Sequence, residues 1–116
     1  MIQIKRLYAP RDVTDGRRVL VDGLWPRGIK KEALDLDDWI KEIAPSPELR
    51  KWYGHQPELW EEFAKRYRAE LKMPVRAAQL DRLRDLSESG TVTLLYAARD
   101  EIRNNAVVLH ELLRQG

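Results

Sequence analysis

Three short segments constrain this chain most, because their apolar residues are spaced as in β-strands. Residues 19–21 and 92–96 are almost continuously apolar, as expected of strands that are buried on both faces. Residues 2–7 alternate apolar and polar side chains, which is typical of a half-buried strand. The pattern therefore predicts three strands, two of them in the interior of the sheet.

The long segment between the second and third strands has the apolar spacing of helices. Trp60, Phe63 and Tyr67 recur every three to four residues, which predicts a helix that begins after Pro57 and ends before Pro74. The same spacing, or a serine and proline cap, predicts further helices over residues 36–43, from Ser46 onward, over 75–86 and over 106–113.

The order of these elements indicates an α/β fold. A long helical return from the second strand to the third allows a right-handed parallel crossover. We therefore expect one domain over residues 1–116, with a small parallel or mixed sheet of about three core strands flanked by helices. In such sheets, ligands bind beyond the carboxyl ends of the strands.

Charge and cysteine content narrow the classes of function. The 21 basic and 19 acidic residues nearly cancel, so the chain lacks the dense basic field typical of nucleic-acid-binding proteins. The absence of cysteine excludes disulfides, thiolate metal sites and a cysteine nucleophile. No segment has the apolar length of a signal peptide or membrane span, so we expect a cytoplasmic protein without a membrane partner. The two histidines lie far apart and make no metal motif, and the sequence identifies no cofactor.

Polar and aromatic residues follow both interior strands. Residues 22–28 follow the second strand, and residues 97–105 join the third strand to the last helix, where backbone amides attract anions. Arginine binds carboxylate or phosphate at two points, so we expect Arg27 and Arg99 to converge on one acidic ligand. The candidate ligand-binding residues of these two segments are Trp25, Arg27, Tyr96, Arg99, Asp100, Asn104 and Asn105.

A second aromatic cluster, residues 51–60, adds Tyr53 as a candidate wall of the site. His55 lies in a turn, where its side chain can titrate near neutral pH. If the protein has enzymatic turnover, Asp22 or His55 is the candidate catalytic group that moves a proton.

Each of these residues also has a structural interpretation. Trp25 and Pro26 can form a hydrophobic plug between loop and helix, and Arg27 can tie its loop to an aspartate. Asn104 or Asn105 can cap the last helix through a side-chain oxygen.

Three segments that carry these features resemble the YeaO-like branch of a bacterial and archaeal family, domain of unknown function 488. They are RVLVDGLWPRGIKKEAL, WIKEIAPSPELRKWYGHQPELWEEFAKRYRAEL and VTLLYAARDEIRNNAVVL, and they cover most of the chain in the family's order. The resemblance implies a compact α/β domain and no established activity. The family usually has arginine in place of Gly23 and histidine in place of Arg103.

The function best supported by the sequence is binding of a small anionic ligand that carries phosphate, a nucleotide or a carboxylate. The alternative is a nucleic-acid-binding or protein-binding module without catalysis, which would use exposed arginines and aromatic residues. The mixture of acidic and basic residues favours the first interpretation. The sequence leaves open the oligomeric state and whether the protein is an enzyme.

Overall fold

The computed structural model describes residues 1–115 and contains one parallel sheet of four strands in the order β1-β4-β2-β3. The strands are β1 (Ile2–Arg6), β2 (Arg17–Leu20), β3 (Asp38–Trp39) and β4 (Val92–Tyr96). The predicted α/β class is confirmed, and the three predicted strands form the sheet together with the short edge strand β3.

β4 is the central strand because it pairs with β1 on one side and with β2 on the other. Val92 aligns with Ile2 of β1 and with Arg17 of β2, while Leu95 aligns with Leu20. All five residues of β4 are buried. Its almost uninterrupted apolar sequence is explained by this position, since both faces of a central parallel strand are covered.

Four α-helices lie within the described residues: α1 (Pro47–Tyr53), α2 (Trp60–Glu70), α3 (Pro74–Ser89) and α4 (Asn105–Gln115). Ser46 caps α1, with its hydroxyl accepting from the Leu49 amide at 3.2 Å. Asn104 caps α4, with its Oδ1 accepting from the Val107 amide at 3.0 Å. These helices confirm the predictions from apolar spacing and capping residues. None of the helices within residues 1–115 has the length and apolar character needed to cross a membrane.

The two faces of the sheet are covered differently. On one face, Val19, Val21 and Leu94 join a large core with Phe63 and Tyr67 of α2. On the other face, a smaller core is formed by Leu7, Leu20 and Leu95, against which Trp25, Leu34, Leu36, Trp39 and Ala97 pack. Successive strand residues point to opposite faces, so neighbours such as Val19 and Leu20 belong to different cores.

The helix predicted over residues 36–43 is absent, which corrects the interpretation of the apolar spacing there. Residues 36–40 are extended instead, with the Asp37 amide bonded to the Arg18 carbonyl at 2.9 Å and the Ile40 amide to the Leu20 carbonyl at 3.0 Å, and a single 3-10 turn follows at Lys41–Ile43. Trp39 packs in the smaller core and Ile40 in the larger one. A helix would place both on one side, whereas a strand between two cores needs them on opposite faces.

Candidate functional site

A cavity of about 650 Å³ opens at the carboxyl ends of β2 and β4. The segment after β2 contributes Asp22, Gly23, Leu24, Trp25 and Pro26, and the segment after β4 contributes Ala97, Ala98, Arg99, Asp100, Arg103, Asn104 and Asn105. The region of α1 and α2 contributes Pro45, Arg50, Tyr53, His55 and Phe63. The two loops expected from the topology therefore meet in one cavity, and a third wall comes from the helices.

Asp22 is a half-buried acid of this cavity and links the two loops. Its Oδ2 accepts from the Ala97 amide at 2.9 Å, and its backbone carbonyl accepts from Trp39 Nε1 at 2.7 Å. Burial raises the pKa of the Asp22 carboxyl, although the Ala97 amide, the Asn105 side chain and the positive charge of Arg50 favour its ionised form. The backbone therefore holds Asp22 in place, and the groups around it offset only part of the cost of burying its negative charge.

Trp25 packs against the smaller core and also lines the cavity. Its indole nitrogen donates to the Ile29 carbonyl at 2.7 Å, and its ring lies 5.3 Å from the ring of Trp39 in the smaller core. It also contributes to the cavity wall next to the buried Pro26. The same Trp25 side chain therefore fills part of the smaller core and forms part of the cavity wall.

Arg27 is placed differently from the expectation that it shares a site with Arg99. The Arg27 side chain is exposed and is not among the lining residues, while Arg99 is exposed but does line the cavity. Trp25 and Pro26 turn inward, and Gly28 has a φ of 77° in the turn that follows, so Arg27 lies on the outer side. Its expected convergence with Arg99 is therefore corrected.

The loop after β4 uses its own side chains to bond several of its amides. Asp100 Oδ1 accepts from the Ile102 and Arg103 amides at 3.0 Å, and Asp100 Oδ2 pairs with Arg103 Nη1 at 3.2 Å. These bonds, led by the one from Ile102, lower the pKa of Asp100. The Asn104 amide group donates to the Asp100 carbonyl at 3.0 Å. The amides expected to be free for an anion are thus partly occupied by Asp100 and by the cap.

Two further candidates from the same segment have contrasting positions. Asn105 lines the cavity and donates from Nδ2 to the Val21 carbonyl at 3.0 Å, which ties the start of α4 to the end of β2. Tyr96 is 2 % exposed, belongs to the larger core and does not line the cavity. Burial raises the pKa of the Tyr96 hydroxyl. Tyr96 therefore supports the sheet beneath the site.

Tyr53 and His55 come from the end of α1 and the turn after it. The Tyr53 ring stacks on Phe63 with 4.5 Å between centroids, and burial raises the pKa of its hydroxyl. Gly54 ends the helix in a left-handed conformation with a φ of 52°, and His55 follows with a φ of 56°. Left-handed backbone is uncommon for residues with a side chain, although histidine adopts it more readily than most. This turn places the exposed His55 at the edge of the cavity beside Tyr53.

Arg50 was not identified as a candidate site residue from the sequence, although it lines the cavity. It projects from α1, and a Cβ atom built on Gly23 would lie 3.4 Å from its Cζ and Nη1. The guanidinium therefore packs against the bare backbone of Gly23, where a Cβ atom would already be in contact with it. Within residues 1–115, the Arg50 guanidinium makes no hydrogen bond or ion pair, and its Nε is buried without a partner. Buried donors without acceptors are rare in folded proteins.

The lining thus combines charge with flat apolar surface. Asp100 is paired with Arg103, whereas Arg50 and Arg99 have no acidic partner in the part of the chain that the structure describes. Tyr53, Phe63 and Trp25 supply aromatic surface. The same residues 1–115 contain no cluster of three His, Asp or Glu side chains that could hold a metal ion. The arrangement can hold a small molecule that has an anionic group and a flat apolar part.

Comparison with known proteins identifies the family. Residues 1–116 match a family described as the inactive DUF488-N3 subclade. The uncharacterised protein YeaO of Escherichia coli K12 is 46% identical over 113 residues, which are 97% of this chain and 96% of YeaO. The uncharacterised protein Rv3073c of Mycobacterium tuberculosis H37Rv is 46% identical over 112 residues, 97% of this chain and 92% of that protein. No solved structure matches the chain. The chain therefore belongs to the YeaO-like DUF488 family, in the group described as the inactive DUF488-N3 subclade.

Proposed function

We propose that the protein binds a small anionic ligand, with phosphate, nucleotide and carboxylate as the candidate anionic groups, in the cavity at the carboxyl ends of β2 and β4. The observation that carries the proposal is Arg50, whose half-buried guanidinium lines the cavity without an acceptor among residues 1–115. A guanidinium removed from water is stabilised by a carboxylate or phosphate that takes two of its hydrogen bonds. An anion in the cavity would accept from the Nη groups of Arg50, which have no acceptor among residues 1–115.

The size and lining of the cavity support the same class of ligand. Its volume of about 650 Å³ lies within the range of small-molecule sites. Arg99 adds a second cation without an acidic partner among residues 1–115, and the aromatic surface of Tyr53 and Phe63 suits a ligand with an apolar part.

The proposal is one of binding without turnover. The described residues that line the cavity include no serine, threonine, lysine or cysteine, and those of nucleophilic type are Asp22, Asp100, Tyr53 and His55. The family description, an inactive subclade, favours the same conclusion. Asp22 and His55, the candidate proton-transfer groups, would then contribute to the charge and shape of the site.

Thermal shift measurements with phosphates, nucleotides and carboxylates test this function. A ligand at a hundred times its dissociation constant adds about 2.7 kcal/mol to stability. For a domain of this size, that corresponds to a rise in Tm of roughly 10 °C. We expect Arg50→Met to abolish the shift, because it removes the donors and the charge while keeping an apolar stem of similar length.

Arg27→Met is the matched control, since it removes the same charged group from the outer side of the turn. It should leave the ligand shift unchanged. Loss of the shift in Arg27→Met but not in Arg50→Met would contradict the proposed site. Tight oligonucleotide binding that weakens about a thousandfold or more between 50 and 200 mM salt would instead support the nucleic-acid alternative.

A further inference from the structure

We infer that the ligand combines a flat ring with two complementary groups, an anionic group for Arg50 and an N–H donor for Asp22. This inference rests on the proposed function, because it specifies the ligand of the same cavity. Aromatic amino acids and nucleoside monophosphates whose base carries an amino group share this chemistry.

The first support is that Asp22 and Arg50 are close together but are not paired. The Arg50 guanidinium lies against Gly23, the residue next to Asp22, and its charge favours ionisation of the Asp22 carboxyl. Among residues 1–115, however, Arg50 forms no ion pair with Asp22 or with any other acid. Two opposite charges in one cavity that do not satisfy each other leave room for a ligand that contacts both.

The second support is the unused hydrogen-bonding capacity of Asp22. An ionised carboxylate has about four acceptor positions. The described chain supplies the Ala97 amide at 2.9 Å, and the Asn105 side chain lies beside the carboxylate while donating to the Val21 carbonyl. Because Asp22 also lines the cavity, its remaining acceptor positions are available to a donor group on a ligand.

Electrostatics then favour a ligand with both groups over a simple anion. A phosphate or carboxylate bound to Arg50 would bring a second negative charge close to Asp22, which is already incompletely compensated. A ligand that also presents an N–H group to Asp22 exchanges this repulsion for a charge-assisted hydrogen bond. Asp22 therefore weakens the binding of simple anions and favours ligands that carry an N–H donor.

The third support is the apolar wall between the charged groups and the core. Tyr53 and Phe63 form a stacked pair, and Trp25 and Pro26 face the cavity from the loop after β2. Aromatic and proline side chains of this kind pack well against a flat ring. The wall accounts for the ring in the proposed ligand, since a small inorganic anion would leave it uncovered.

Matched pairs of ligands test the inference on the unmodified protein. L-phenylalanine and 3-phenylpropionate share ring, chain and carboxylate but differ in the ammonium group. Adenosine monophosphate and purine riboside monophosphate differ in the amino group of the base. We expect, in NMR titrations of the ¹⁵N-labelled protein, that at least one donor-bearing member binds about tenfold tighter than its partner, in line with the strength of hydrogen bonds to charged groups. The pair that shows the preference identifies which source of ligand the site uses.

Asp22→Asn provides the second arm, because it keeps the shape and an acceptor for the Ala97 amide but removes the charge. The preference for the donor-bearing ligand should fall to less than about threefold, and the simple anions should bind more tightly than to the unmodified protein. The inference is overturned if the ligands of each pair bind equally well to the unmodified protein. In that case the proposed function would still stand if Arg50→Met abolished anion binding. If no compound in the thermal shift panel bound the protein, both the proposed function and this inference would be wrong.

Discussion

Two charged clusters flank β2, and they differ in how completely their groups are bonded. The cluster at the start of β2, which we call the buried cluster, consists of Asp15, Arg18 and Lys5. The Asp15 carboxylate bonds to Lys5 and to Arg18 Nη1, the latter at 2.6 Å. The remaining Arg18 nitrogens donate to the carbonyls of Asp35 and Ala9 at 2.8 and 3.0 Å. The buried cluster is thus closed by partners from the chain itself.

The cluster after β2 consists of Asp22 and Arg50 and lines the cavity. Here the acid accepts from one amide and the guanidinium lacks any partner among residues 1–115. The pKa values of the two acids move in opposite directions: Lys5, the Asp12 amide and Arg18 lower the pKa of Asp15 to about 2, whereas burial raises that of Asp22. Burial of charge is common to both clusters, and they differ in how completely the chain itself bonds the charged groups.

The largest expected effect that tests this comparison is on stability. Arg18→Met removes one partner from the buried cluster and should lower the free energy of unfolding by about 3–5 kcal/mol, as breaking a buried ion pair does. Arg50→Met removes a cation that has no partner, so it should change the free energy by less than about 1 kcal/mol or increase it. Urea unfolding at neutral pH measures both values.

Equal losses of unfolding free energy in the two variants would contradict the difference between the clusters, because they would mean that Arg50 is also bonded within the fold. A large loss of unfolding free energy in Arg50→Met alone would show that Asp22 and Arg50, and not the buried cluster, stabilise the fold. Circular dichroism before denaturation shows whether each variant has kept its helices, so that a misfolded variant is not mistaken for a destabilised one.

A smaller effect is expected in the pH dependence of stability. Because the folded pKa of Asp15 lies below its unfolded value of about 3.9, its contribution is complete above that value and is lost as the pH falls to about 2. Asp15→Asn should therefore be costly at neutral pH, with a cost that shrinks in acid. The raised pKa of Asp22 has the opposite sign, since stability is highest below its unfolded pKa and falls as the pH rises through its folded pKa.

Asp22→Asn should accordingly stabilise the protein at neutral pH, and this gain should vanish in acid, where the native carboxyl is protonated as well. Urea unfolding of both variants between pH 7 and pH 3 gives the two slopes. Slopes of the same sign would show that the two acids have similar environments. The asparagine at either position preserves the size of the side chain, so the difference reports charge and not packing.

Much of the fold was predictable because local pattern and tertiary environment agree. β4 was predicted with its observed limits, and the spacing of Phe63 and Tyr67 identified the buried face of α2. The pattern failed around Trp39 and Ile40, where apolar spacing suits either a helix with one buried face or a strand between two cores. Only the pairing partner, β2, decides between these conformations, and a single sequence does not display it.

The site was predictable where it follows from topology and was not where it depends on side-chain packing. Asp22 and Asp100 follow the ends of parallel strands, so their loops were expected to meet. Arg50 is one of several charged residues on α1, and nothing in its spacing separates it from a solvated side chain. Its place in the cavity wall depends on how α1 packs against Gly23, which is known only once both segments are placed together. Arg27, beside the conspicuous Trp25, was expected in the site but lies outside its lining.

We expect Arg50 to be open to a ligand and Arg18 to be already bonded within the fold, and the Nε–H resonances of the two arginines distinguish these environments. Both signals can be followed in one ¹⁵N spectrum and assigned with Arg50→Lys and Arg18→Lys. On titration with the anion that gives the largest thermal shift, the Arg50 Nε–H signal should move because the anion binds the guanidinium group that contains it, while the Arg18 signal, already bonded to the Asp35 carbonyl, should stay in place. An Arg50 signal that remains unchanged at saturating ligand would contradict the account, because the bound anion would then lie elsewhere.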